Sequence, residues 1–408
     1  MIGVPLHGAP DILVTGADVV TGDEVVPAGA IEVRDGLIRS IGPAVGRGVR
    51  TDLPVIDATG LIVLPGFVDL HCDGLEGEMR PRRGAPAVAA DSAFLSFESR
   101  LRAAGVTTVF HCVGAREMTA HGVPVAPGSW RAAHGRIAAA DSTVVDHREM
   151  VRLDILSPSA VEELRELLDD RPAGADPLAV SLENHSPGQG QYRDPGVLAD
   201  YVVATDGVGR QEALARVEFL HRRREAGDAV IARTLEAVQE LVAAGRVVPV
   251  GHDPDTREAV DALVARGGRI AEFPITAEVA GYAIARGLGT VVGAPNLLRG
   301  GSHAGNVSAL ELVFGGMATA VASDYHPGAL VGALAVLVTP VEEGGAGLTL
   351  PAASELLSAG PARLAGLHDR GSLVPGMRAD LVFVEPRPGT SVPRRVVGTL
   401  TARTGPAV

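Results

Sequence analysis

Eight short apolar runs, alternating with helix-like stretches, constrain this chain more than any other feature. They are 64–70, 106–110, 150–154, 178–182, 247–251, 269–273, 290–293 and 318–323. Runs this short and this rich in Val, Ile and Leu, bounded by turn residues, read as buried strands. Helix candidates include 91–104, 159–169, 208–226, 229–244, 256–266, 277–286 and 352–366, and Pro254-Asp-Thr-Arg-Glu258 has the form of a helix start. Such alternation makes βα units and a parallel sheet. The fold class is therefore α/β, and eight strands predict a distorted (β/α)8 TIM-like barrel with its site on the loops after the strands. Two turn-rich insertions, 115–145 and 186–210, are expected to shape the pocket.

The chain is longer than one core normally requires, at 408 residues. Residues 11–64 read as short strands and turns, with an Asp-Gly turn signal at Asp35-Gly36, and Gly371–Glu385 is again turn plus strand. The expectation is a small β-sandwich module made from both ends. The domains would be 1–63, the barrel at 64–366, and 367–408 returning to the module.

The strand ends are polar where core packing would ask for apolar residues. The first run ends in His71-Cys72-Asp73. The third ends in Asp154, the fourth leads to His185, the fifth reaches His252 and the last reaches Asp324. Residues two apart on a strand share a face, so His71 and Asp73 point into one space and Cys72 away from it. Imidazoles and carboxylates converging on one barrel face suit Zn²⁺ first, then Mn²⁺ or Fe²⁺, as one or two ions. Such a site lowers the pKa of a water toward neutrality, and Asp324 is placed to take its proton. Glu183 lies two residues before His185 on the same face and rivals Asp154 as the carboxylate ligand.

A second stretch, Gly293-Ala-Pro-Asn296…Arg299-Gly-Gly-Ser302-His303-Ala-Gly-Asn306, follows a strand and leads into a helix pattern. Glycines let backbone approach an anion, and Arg299 adds a fork for phosphate. Arg193 is a second candidate clamp. All 36 basic side chains are arginine, so no carboxylated lysine can bridge two metals here. The net charge of −13 disfavours nucleic acid or an anionic membrane as partner, and no apolar run is long enough to span one. Two cysteines make no disulfide framework. With no charged stretch and apolar run opening the chain, a cytoplasmic enzyme with a small anionic substrate is expected, as a homo-oligomer, a dimer.

The motif Leu64-Pro-Gly-Phe-Val-Asp-Leu-His71, and the return of the C-terminal end as Pro375-Gly-Met-Arg-Ala-Asp-Leu-Val382, resemble the amidohydrolase superfamily. Within it, the chain resembles the ribose 1-methylphosphonate 5-triphosphate diphosphatase family of phosphonate metabolism. That resemblance is carried by His71-Cys-Asp-Gly-Leu-Glu76, Ala104-Gly-Val-Thr-Thr-Val-Phe110, Val180-Ser-Leu-Glu-Asn-His-Ser-Pro-Gly-Gln189, His252-Asp253, Glu272-Phe-Pro-Ile-Thr276, Arg299–Ser308 and Ser323-Asp-Tyr325. It implies a metal-dependent hydrolase that releases pyrophosphate from a phosphorylated sugar. The implied metal ligands are His71, Asp73, His185, His252 and Asp324, with Asp154 as bridge. It implies Arg299, Ser302 and His303 as oxyanion contacts. The expected catalytic residues are Asp324 and His303, and the expected substrate contacts are Arg299, Ser302, Asn306, Arg193, Glu76 and Thr276. The family usually has Glu at the place of Asp154, in an Arg-x-Glu motif, and Asn at the place of Gly74. Glu183, Asn184 and His326 also depart from its pattern, so the substrate need not be the family's own. An alternative on the same site is a deacetylase or cyclic-amide hydrolase acting on a C–N bond. A non-catalytic scaffold is a third reading, which the full set of strand-end residues disfavours.

Overall fold

The computed structural model describes residues 11–43, 52–82, 86–140, 144–302 and 304–402. Eight strands form one parallel sheet: β6 (Phe67–Cys72), β7 (Val106–Ala115), β8 (Asp146–Asp154), β9 (Leu178–Glu183), β10 (Val247–His252), β11 (Ile270–Glu272), β12 (Gly289–Gly293) and β13 (Ala320–Ala322). They lie side by side in sequence order. The two edges meet at their C-terminal ends, where Asp324 N donates to His71 O at 2.9 Å and Asp73 N to Asp324 O at 2.7 Å. Below this, Asp69 accepts from Ser323 N at 2.9 Å. The result is a nearly closed barrel with helices between the strands.

The eight expected runs coincide with the eight strands to within a few residues. On most strands the inner and outer faces follow from alternation. Met150, Val250, Ile270, Val291, Ala320 and Ala322 fill the lumen. Their neighbours Val151, Val292 and Val321 pack outward, among Leu and Ala side chains of the helices. The insertion 186–210, read as turns, carries the helix Pro195–Asp206, which Asp194 caps by accepting from Gly196 N. Its Pro-Gly opening and apolar residues spread around the helix hide the helical period. The apolar segment Ala329–Val338 is a helix buried against the barrel. Among the described residues no helix is long and apolar enough to cross a membrane.

The two chain ends make one seven-stranded sheet: β1 (Ile12–Val20), β2 (Val25–Arg34), β3 (Leu37–Pro43), β4 (Val55–Asp57), β5 (Ile62–Pro65), β14 (Leu381–Pro386) and β15 (Pro393–Leu400). β5 runs antiparallel to β14, with Val63 opposite Phe383. One residue separates this sheet from the barrel. Gly66 donates to Asp380 O at 2.8 Å. A Cβ here would fall 2.1 Å from Thr107 Oγ1, so only glycine lets the chain turn from one sheet into the other.

Candidate functional site

Alternation puts a second inward residue above each lumen residue. Arg152 follows Met150, Glu183 follows Ser181, His252 follows Val250 and Glu272 follows Ile270. β6 needs a correction to reach the same rim. Val68 and Leu70 face the lumen, so plain alternation would send His71 and Asp73 outward. The register against β7 slips between Asp69 and Cys72: Asp69 is opposite Val109, and Cys72 opposite His111. This bulge changes the phase, as bulges beside functional sites do. Cys72 joins the outer core with Phe67 and Phe97, and His71 turns in.

Glu272 lies buried beneath two imidazoles. Its Oε1 is 3.2 Å from His71 Nδ1, and its Oε2 is 3.4 Å from His252 Nδ1 and accepts from Ser181 Oγ at 2.9 Å. Both rings thereby have Nδ1 engaged. Their Nε2 atoms face carboxylates, Asp73 at 3.8 Å from His71 and Asp253 at 3.6 Å from His252. The rings stack at 5.6 Å, and Phe273 meets both edge-on. His185 packs against His252 at 5.2 Å, with Nδ1 3.6 Å from Glu183 Oε2. Arg152 donates through Nη1 to Asp73 Oδ2 at 2.7 Å and through Nε to Glu183.

The electrostatics follow from this packing. Burial would raise Glu183, but Arg152, then His252 and His185, outweigh it and hold the carboxylate down at about 2. Asp73 is lowered in the same way: burial opposes and Arg152 outweighs it. Burial pulls His185 down to about 3, leaving the neutral imidazole that ligates metals. Burial raises Asp324, and raises Asp253 to about 6.

Among the described residues, three groups of side chains bring ligand atoms within 4.8 Å of one another: His71, Asp73 and Cys112; His71, His252 and Glu272; Glu183, His185 and His252. Among the described residues, Asp73 Oδ1 and Asp253 Oδ2 are buried without a hydrogen-bond partner. Unmatched buried carboxylate oxygens beside imidazoles are costly unless a cation meets them. The residues therefore fit a divalent ion of the zinc, manganese or iron type.

A cleft of about 400 Å³ opens above this cluster. His71, Asp73, His185, His252 and Asp324 all line it, as do Arg299, Ser302 and Asn306. Arg299 donates to Tyr325 Oη at 2.7 Å, and Asn306 to Gln191 O at 3.3 Å. Asp154 stands apart. Its carboxylate accepts from Arg223 at 2.9 Å and from Leu156 N at 3.0 Å, and Glu183 holds the place beside the histidines. Arg193 is exposed and off the cleft wall. Glu76 lies behind the wall, paired at 3.0 Å with Arg116, which does line it. Thr276 caps the helix Ala277–Ala285, accepting from Val279 N. His326 is exposed. His303 lies outside the described residues. The sequence reading missed Glu272 and Arg152, both of which the two-residue step from lumen residues would have found. It also missed Arg116 and the inward thiol of Cys112.

No protein-family model matches the sequence. Over 385 residues the chain is 30% identical to the alpha-D-ribose 1-methylphosphonate 5-triphosphate diphosphatase of Escherichia coli K12, covering 91% of this chain and 94% of that one. Among solved structures it is similar to N-acetyl-D-glucosamine-6-phosphate deacetylase from Mycobacterium smegmatis, at 17% identity and TM-score 0.57, over 96% of this chain and 98% of that one. A triazine hydrolase variant matches at 16% identity and TM-score 0.57, over 93% of this chain and 89% of that one. These structural likenesses concern the fold.

Proposed function

From a chain that belongs to the amidohydrolase superfamily, in the family of the ribose 1-methylphosphonate 5-triphosphate diphosphatase, we propose a metal-dependent hydrolase that cleaves a phosphoanhydride of a phosphorylated sugar and releases pyrophosphate. The observation that carries this reading is the company the histidines keep. Arg116, Arg152 and Arg299 line the same cleft as His71, His185 and His252, in a protein of net charge −13. His71, His185 and His252 with the carboxylates beside them would hold a divalent ion, which would supply Lewis-acid activation of water. The chain's own residues supply the rest. His71 and His252 are oriented by Glu272. Arg299 and Arg116 offer forked donors to phosphoryl oxygens, over which the charge spreads as the bond breaks. Asp324, held by the strands it joins and raised by burial, accepts a proton at its carboxylate and returns it to the product.

The substrate that supports this reading best is a ribose 5-triphosphate bearing an anionic C1 substituent, the type named for the E. coli relative. The test is pyrophosphate release by the zinc- or manganese-loaded protein from a series of 5-triphosphorylated sugars. Arg299→Ala is expected to raise KM for the best of them by roughly 10- to 100-fold, the loss of one charge-assisted hydrogen bond. No pyrophosphate from any such sugar, together with turnover of N-acyl amino sugars or cyclic amides, would replace it with a C–N hydrolase.

A further inference from the structure

Arg152 rises from the lumen face of β8 into the middle of the ligand groups. Its guanidinium joins two carboxylates that belong to different groups. Asp73 converges with His71 and Cys112, and Glu183 with His185 and His252. Nη1 is 2.7 Å from Asp73, and Nε meets Glu183. Each group is thus a fragment of a metal site whose carboxylate already faces a cation through one of its oxygens, Asp73 Oδ2 and Glu183 Oε1. Lone pairs that accept from a guanidinium fork are not free for an ion in the same direction. A buried guanidinium cannot leave by deprotonation, since it stays charged at any pH the fold survives. A second divalent ion between Asp73 and Glu183 would place three positive charges in one buried space, with two carboxylates to answer them. Asp154, two residues further along β8, offers no help, because Arg223 and Leu156 N hold its carboxylate.

We propose that Arg152 is the permanent second cation of this centre. The chain takes one divalent ion, with the imidazoles, and loss of the guanidinium opens a second ion site between Asp73 and Glu183. The proposal rests on the metal-centre reading above and fixes its stoichiometry.

The experiment counts ions. Chelator-stripped protein is loaded with excess Zn²⁺ or Mn²⁺, desalted, and analysed by elemental analysis and native mass spectrometry. Wild type is expected to retain one ion per chain, R152K one and R152Q two. Two ions in wild type, or one in a folded R152Q, overturns the proposal. If R152Q does not fold, wild type and R152K decide: one ion in each supports the proposal, and two in either overturns it. No ion in any form removes the metal reading itself, and the proposal with it, whereas two in wild type leave that reading standing.

Discussion

Replacing Glu272 with glutamine keeps the shape of the side chain and changes what it can accept. The carboxylate serves His71 on one oxygen, and His252 and Ser181 on the other. Gln has one accepting oxygen and one amide that only donates. With the oxygen toward His252 and Ser181, the amide meets His71 Nδ1. That ring must then move its proton to Nε2, the nitrogen that faces Asp73, or turn away. Either way one imidazole is lost as a well-aimed ligand. Partners that orient a ligating histidine are worth ~10- to 100-fold in metal affinity, which is ~1.4–2.7 kcal/mol. The assay is competition for Zn²⁺ between stripped protein and a chelating indicator, with urea unfolding as a control for the fold. A folded E272Q with wild-type zinc affinity would refute the reasoning, because it would mean that neither imidazole depends on Glu272 for its orientation.

Asp154→Asn should leave zinc affinity unchanged while lowering stability by ~1–3 kcal/mol through the lost ion pair with Arg223, whereas Glu183→Gln should weaken zinc binding; an Asp154→Asn protein that no longer holds metal would reverse this assignment. The buried pair His111–His147, with Nε2 and Nδ1 at 2.8 Å, predicts acid sensitivity. Burial, then His147, holds His111 well below its ordinary value, so the unfolded chain binds more protons there; stability from His111 is full above pH ~6.5 and falls as pH drops toward the native value. His111→Gln should flatten that decline in urea midpoints between neutral and acid pH, and an unchanged slope would count against it. Gly66→Ala should cost at least ~1–3 kcal/mol by overpacking against Thr107, read as a lower urea midpoint; an unshifted midpoint would contradict the contact described here.

The barrel was legible because buried parallel strands write themselves as short apolar runs, and all eight did so. The site was legible only where a strand ended in a residue that core packing does not want. Arg152 sits inside its strand and Glu272 inside the apolar run 269–273, so they looked like scaffold rather than site, although the two-residue step from Met150 and Ile270 places them at the rim. Asp154 obeys the same step and still leaves the rim. It is the last residue of its strand, and its short side chain binds the backbone two residues on, as aspartate does in turns. His71 was placed correctly by an alternation that the strand does not follow, because the bulge after Asp69 corrects a phase error no sequence pattern records.

The joint at Gly66 has a consequence for how the molecule is made. β5 leads straight into the strand that carries His71, yet β5 is paired on one side by β14, and Gly66 itself is bonded to Asp380. A ribosome delivers the first barrel strand early and its clamp last. The nascent barrel must therefore wait with one seam unfastened, and contacts spanning nearly the whole chain form slowly because the loop they close is long. A chain shortened before β14 would keep every ligand named above and lack the brace at the foot of the strand that presents the first of them.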